Sequence, residues 1–137
     1  DHAHSFRFQL PALAAAGYRA VAPFLRGYAP TEVPVDGPYQ AAALAQDAVA
    51  LIDTLGQGQA VVIGHDWGAV AAHGAAIVAP EKIGKLVTIA VPHGPKLFEA
   101  FVTSHAQQRR SWYMFFFQLA FADVAVAFNG FAFLVRT

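Results

Sequence analysis

Three short apolar runs stand out in the N-terminal part of the chain, and each is followed by proline or glycine. They are Arg19–Ala22, Ala60–Ile63 and Leu86–Val91. A short, continuous apolar run bounded by such residues is typical of a strand buried on both faces. The pattern therefore predicts three strands.

Between these runs, apolar residues recur at helical spacing. The periodic segments are Phe6–Ala14, with a kink or restart at Pro11, then Tyr39–Leu55 and Ala69–Val78. Residues 27–38 are rich in glycine and proline and are predicted to form a loop. Strands that alternate with helices predict an α/β domain whose mostly parallel sheet carries helices on both faces.

The pattern changes after Pro92, where only helical, Phe-rich segments follow. We therefore place a domain boundary near residue 95, between a core domain at 1–94 and a helical domain at 95–137. Trp112–Val135 has the length of a membrane span, but Asp123 and the turn-forming Asn129-Gly130 pair interrupt it. We expect two buried helices broken near Ala122 or Asp123, with the phenylalanines in a core and no membrane partner.

Composition excludes several classes of function. Nine basic and nine acidic residues balance without a like-charged run, which argues against a nucleic-acid partner. The chain has no cysteine, so disulfides and thiolate chemistry are ruled out. The N-terminal residues lack the features of a signal peptide, and we expect a cytoplasmic location. Because the chain opens with Asp1 and stops in an apolar run, we expect both ends to be cut.

The most informative segment is Gly64-His65-Asp66-Trp67-Gly68, which lies between a β-branched run and an alanine-rich helix. A sharp strand-to-helix turn flanked by small residues has the layout of a nucleophile elbow. The helix that follows would aim its N–H groups and positive dipole end at an anion. The simpler alternative is that Asp66 caps this helix while the glycines serve a tight turn.

An Asp at the centre of such a turn favours a different reaction from the usual Ser. A carboxylate needs no base to activate it, so Asp66 would attack a saturated electrophilic carbon and form an ester that water later cleaves. The backbone N–H of Trp67 would be one oxyanion donor when water attacks that ester.

These residues, with Pro92-His93-Gly94 and Leu25-Arg26-Gly27-Tyr28, resemble the epoxide hydrolase and haloalkane dehalogenase branch of the α/β-hydrolase superfamily. The segment Arg110–Gln118 resembles the first cap-helix motif of bacterial epoxide hydrolases. The resemblance implies a partial α/β-hydrolase fold with the beginning of a helical cap. It implies that Asp66 is the nucleophile and that Tyr113 donates a hydrogen bond to the opening epoxide oxygen.

Two departures from the family pattern are visible. Phe24 stands where the family commonly has Asp before its Arg-Gly-Tyr motif, and Gln118-Leu119-Ala120 replaces Gln-x-Pro in the cap. The triad acid and histidine, the second cap tyrosine and the second oxyanion donor fall outside the chain. We therefore expect the 137 residues alone to lack meaningful activity.

The histidines and remaining acidic residues receive simpler interpretations. His65 supports the turn beside the nucleophile, and His93, after the third predicted strand, could line the pocket. His73 is expected to pack behind the elbow and His105 to be solvated. His2 and His4 lack a third ligand at metal-binding spacing, so no metal or cofactor is expected. Asp47 and Asp53 are predicted on the solvent face of the long helix.

Three functions follow as hypotheses for the full-length protein. The first is hydrolysis of a small apolar epoxide to a diol, with water as the second substrate. The second is dehalogenation by the same ester route, for which Trp67 is equally suited and Tyr113 less so. The third is an inactive or binding member of the fold.

Overall fold

The computed structural model of the chain describes residues 2–33, 35, 37–56 and 58–135. It divides into two compact units, Asp1–His93 and Gly94–Thr137. In the first unit a short 3₁₀ turn precedes helix α1, and two strands alternate with two longer helices. These elements are α1 (Gln9–Ala15), α2 (Ala41–Leu55), β1 (Ala60–His65), α3 (Trp67–Val78) and β2 (Ile83–Ile89).

Strands β1 and β2 form a parallel pair, as the alternation of strands and helices predicted. The register runs from Ala60 opposite Ile83 to His65 opposite Ile89, with one irregularity after Ala60. Helix α3 packs against both strands, and α2 packs against α3. The α/β class with a parallel sheet is thus confirmed.

The sheet is smaller and less covered than the sequence predicted. The predicted strand at Arg19–Ala22 is irregular, because its backbone enters no ladder within the described residues, whose single sheet contains only β1 and β2. One face of that sheet also lacks cover from the described residues. On that face four apolar residues are each 40–48% exposed: Val61, Ile63, Val87 and Ile89.

Small side chains build the core between α2 and α3. Ala45 and Ala75 are essentially inaccessible to solvent. A Cβ atom added at Gly74 would lie 2.6 Å from the Cβ of Ala45, so the two helix backbones approach too closely for any larger pair. The alanine-rich sequence of α3 is therefore a packing requirement as well as a source of helix propensity.

The loop between α1 and α2 is tied to α2 by Arg26. Its Nε and a terminal nitrogen each donate to a carboxylate oxygen of Asp47 at 2.6 Å, and its other nitrogen donates to the Pro38 carbonyl at 2.5 Å. The hydrogen bond to Asp47 raises the pKa of Arg26. The prediction of a solvent-facing Asp47 was therefore wrong, because the loop covers this face of α2. Asp53 is exposed and pairs with Lys82.

The second unit is helical, as predicted. Its elements are α4 (Gly94–Thr103), α5 (His105–Arg110), α6 (Trp112–Phe116) and α7 (Ala122–Val135). The expected break near Ala122 is present, and Asn129-Gly130 lies in a kink of left-handed backbone inside α7. No helix among the described residues is both long enough and apolar enough to cross a membrane.

The expected phenylalanine core is not formed in the described part of this second unit. Phe115 is 62% exposed and Phe128 is 77% exposed, although several of the rings touch one another edge to face. An aromatic ring is buried only where a second surface closes over it, and the described residues place no such surface over Phe115 and Phe128.

Candidate active site

Asp66 occupies the turn between β1 and α3 in a strained backbone conformation. Its φ is 52° and its ψ is −121°, a region that residues other than glycine rarely adopt and that is concentrated at functional sites. Although Asp66 is the N-cap residue of α3, its side chain makes no capping hydrogen bond. The simpler interpretation of Asp66 as a capping side chain is therefore wrong.

The two glycines of the turn have different structural roles. A Cβ atom at Gly64 would lie 2.3 Å from the carbonyl oxygen of Gly68 and 2.7 Å from the Cα of Ala69. A Cβ atom at Gly68 would meet nothing within 4 Å. The requirement for a small residue therefore applies to the position two before the nucleophile. The expectation that a small residue is needed both two positions before and two positions after Asp66 holds at Gly64 and is wrong at Gly68.

Backbone hydrogen bonds attach the turn to its surroundings. The carbonyl of Asp66 accepts from the amides of Ala69 at 2.9 Å and Val70 at 3.2 Å, and its amide donates to the carbonyl of Ile89 at 3.4 Å. The first N–H groups of a helix have no acceptor within it. Those of Trp67 and Gly68 belong to this set, and they favour an anion beside Asp66.

Trp67, which follows Asp66 in the elbow, lines a small and mostly apolar cavity. Its side chain is 48% exposed, and the Asp66 residue itself is half-buried. The cavity has a volume of about 270 Å³. Its lining residues are Leu25, Arg26, Gly27, Tyr28, Tyr39, Leu44 and Trp67.

A larger cavity, of about 600 Å³, lies between the Arg26 loop and α2. None of the predicted site residues lines it. We place the candidate chemistry at the elbow rather than at this larger volume, because the elbow combines backbone strain, a helix N-terminus and a carboxylate.

The other predicted site residues are distributed over both units. His65 is the last residue of β1 and is half-buried. His93 is exposed at the end of the first unit, with its ring 5.6 Å from that of His73. Tyr113 lies on α6 in the second unit, about half exposed, with its ring 6.5 Å from that of Phe117.

No group of three potential ligands that could hold a metal ion occurs among the described residues. His2 and His4 do lie together, but the Nδ1 of His2 accepts from the amide of His4 at 3.2 Å. Both rings pack against Phe24. The aromatic residue at the position where the family commonly has Asp thus has a local packing role.

Sequence reasoning missed two features near the elbow. The Nε2 of His73 lies 3.4 Å from the carbonyl oxygen of Val91, and Ala90 has a positive φ of 69°. The sequence shows that His73 follows Asp66 by seven residues, which is two turns of a helix. That spacing predicts where His73 lies on α3, but not that it meets the carbonyl of Val91.

Comparison with known proteins agrees with this geometry. The family model of the alpha/beta hydrolase fold matches residues 1–133. The chain is 38% identical over 131 residues to epoxide hydrolase 4 of Homo sapiens, which covers 93% of this chain and 36% of that protein. It is 35% identical over 126 residues to epoxide hydrolase A of Mycobacterium tuberculosis, covering 91% of this chain and 38% of that protein.

Among solved structures, the crystal structure of the epoxide hydrolase VrEH1 from Vigna radiata has a fold similar to that of this chain. The TM-score is 0.66 at 41% identity, over 75% of this chain and 34% of that one. The chain spans little more than a third of the length of the two relatives named above. On the family match and the geometry of the elbow together, the chain belongs to the alpha/beta hydrolase fold family.

Proposed function

We propose that the full-length protein hydrolyses an epoxide to a vicinal diol through an ester on Asp66. The observation that carries the proposal is the strained backbone of Asp66 at the N-terminus of α3, with a side chain that caps nothing. Backbone strain at a carboxylate whose side chain makes no capping hydrogen bond points to a catalytic group. The similarity to proteins named epoxide hydrolase supports the same conclusion.

The reaction would proceed in two steps. In the first, a carboxylate oxygen of Asp66 attacks one epoxide carbon and the bond from that carbon to the ring oxygen breaks. The ring oxygen accepts a hydrogen bond from Tyr113 and takes a proton from solvent water. In the second, water attacks the ester carbonyl, the backbone N–H of Trp67 stabilises the developing oxyanion, and the bond from the carbonyl carbon to the alkyl oxygen breaks. One proton of the attacking water goes to the departing alcohol oxygen, and the other returns to solvent the proton taken in the first step. The products are the diol and the free carboxylate. The base that activates water is not assigned to any residue of this chain.

The substrate we propose is a small or medium apolar epoxide. The cavity beside Trp67 is walled mostly by apolar and aromatic side chains, which suits such a molecule. We also propose that residues 95–137 begin a helical cap. His65 would support the turn beside Asp66, and His93 would line the pocket. We propose further that the protein works in the cytoplasm and needs no cofactor.

The first experiment replaces the nucleophile in the full-length protein. Asp66→Asn should lower the rate of diol formation by about 10³-fold or more, because an amide cannot form the ester. Asp123→Asn, which changes an exposed carboxylate, is the matched control and should leave the rate within about twofold. Intact mass excludes deamidation of the introduced amide back to a carboxylate. Turnover by Asp66→Asn at the rate of the parent would contradict the covalent route.

Isotope labelling identifies the route directly. With enzyme in excess over an epoxide in H₂¹⁸O, the first diol should carry ordinary oxygen from Asp66, and the peptide containing Asp66 should gain ¹⁸O. Diol that carries ¹⁸O from the first turnover would show direct attack by water. Release of free halide from haloalkanes, without diol from epoxides, would favour the dehalogenase alternative.

A further inference from the structure

The elbow and helix α3 contact the end of β2 and the residues after it at two places. In the elbow, the amide of Asp66 donates to the carbonyl of Ile89, the last residue of β2, at 3.4 Å. On α3, His73 lies with its Nε2 3.4 Å from the carbonyl oxygen of Val91 and its ring 5.6 Å from the ring of His93, at 66°. The elbow and the helix that follows it therefore contact the two ends of a single short segment, residues 89–93.

That segment contains a strained residue. Ala90 has a φ of 69°, in the left-handed region that disfavours a residue with a Cβ atom. Such a conformation persists only where its surroundings hold it. The carbonyls on either side of Ala90 are both contacted: that of Ile89 accepts from the amide of Asp66, and that of Val91 lies against His73 of α3.

We propose that His73 is a positioning residue for the nucleophile turn. By holding Val91 and His93, it maintains the bend at Ala90 and so keeps the carbonyl of Ile89 where the amide of Asp66 can reach it. The inference rests on the proposed function in one respect, the role of Asp66 as nucleophile. His73 itself touches no reacting atom in this scheme.

The imidazole supplies two separable contacts. A carbonyl oxygen only accepts, so the contact with Val91 is a hydrogen bond when Nε2 carries the proton. The ring packs edge to face on His93. His73→Gln keeps a donor at similar reach and removes the ring, whereas His73→Phe keeps a ring and removes the donor.

The first measurement is hydrogen exchange in the full-length protein, followed on the peptide that contains residues 89–94. His73→Phe should speed exchange of its amides by about tenfold, because the bend opens locally once the donor is lost. His73→Gln should stay within about threefold of the parent. His93→Ala, at an exposed position, should give an intermediate rate. His105→Phe, another exposed histidine on α5, is the control and should leave this peptide unchanged.

The second measurement is turnover of an epoxide by the same variants. We expect His73→Phe to lower kcat by about tenfold with KM within about twofold, since a small displacement of a nucleophile slows chemistry more than binding. His73→Gln should recover most of kcat.

The two measurements separate this inference from the proposed function. Parent-like exchange and kcat in His73→Phe would overturn the inference, as would His73→Gln being as impaired as His73→Phe. If His73→Phe does not fold, the smaller His73→Ala, which also removes the donor, takes its place, and parent-like exchange in that variant overturns it. If the parent turns over no epoxide, the proposed function fails, while the exchange data still decide whether His73 holds the bend.

Discussion

The elbow helix α3 and the helices α6 and α7 of the second unit are all mainly apolar, yet the burial of their side chains differs. In α3, Ala69 and Ala75 are completely buried, because small side chains let the backbone approach α2 and the strands. In the second unit, Phe115 and Phe128 are mostly exposed. Burial thus follows from whether a matching surface is present rather than from the hydrophobicity of a residue.

The strongest test concerns the tightest contact of the elbow. Gly64→Ala places a Cβ atom 2.3 Å from the Gly68 carbonyl oxygen and 2.7 Å from the Cα of Ala69, and these are backbone atoms, which cannot move away as a flexible side chain could. We expect a loss of about 3 kcal/mol or more in the free energy of unfolding, together with loss of activity. Chemical denaturation of the full-length protein measures the first.

Gly68→Ala is the matched control for that substitution. Its added Cβ atom meets nothing within 4 Å, and alanine is a better helix former by about 1 kcal/mol in a helix interior. Stability should therefore remain unchanged or rise slightly. Equal destabilisation by the two substitutions would contradict the different roles assigned to the two glycines.

A second test addresses the interface of α2 and α3. Gly74→Ala should destabilise the full-length protein by about 1–3 kcal/mol, because the new methyl group would lie 2.6 Å from the Cβ of Ala45. Adding Ala45→Gly removes that opposing atom and should restore part of the loss, which a double-mutant cycle measures as a favourable coupling. Additive effects of the two substitutions would show that the helices separate easily.

The smallest effect is expected among the exposed aromatic side chains. Phe128→Gln should change the free energy of unfolding by no more than about 0.5 kcal/mol, and Phe115→Gln should behave similarly, since both rings are mostly exposed. A loss of about 2 kcal/mol or more in the full-length protein would show that another surface covers these rings. The contrast with α3 would then disappear.

Local patterns in the sequence were sufficient to locate the elbow. The β-branched run, the glycine at position 64 and the alanine-rich helix lie next to one another, and the steric rules that join them act over a few residues. The parallel pair of strands, the break near Ala122 and the family resemblance were likewise evident, because each depends on periodicity or on contiguous motifs.

Two of the predictions that failed depend on contacts between distant segments. Arg19–Ala22 has the composition of a strand, but a strand also needs a hydrogen-bonded neighbour. Asp47 has the spacing of a solvent-facing residue, but the loop at Arg26 returns to pair with it.

The failed prediction at Gly68 is local instead. A Cβ atom at Gly64 would meet Gly68 and Ala69, whereas one at Gly68 would meet nothing within 4 Å. This difference depends on the exact path of the backbone after the turn, which a pattern of small residues does not specify.

Local sequence specifies the chemical character proposed for this protein: a carboxylate between a strand and a helix, with glycine where the turn is tightest. The contacts around this turn, by contrast, arise only in the folded chain. The contacts of Ile89 with Asp66 and of Val91 with His73 join residues 18 or more positions apart. No local preference specifies such pairs, because they require β1 to pair with β2 and α3 to pack against both strands.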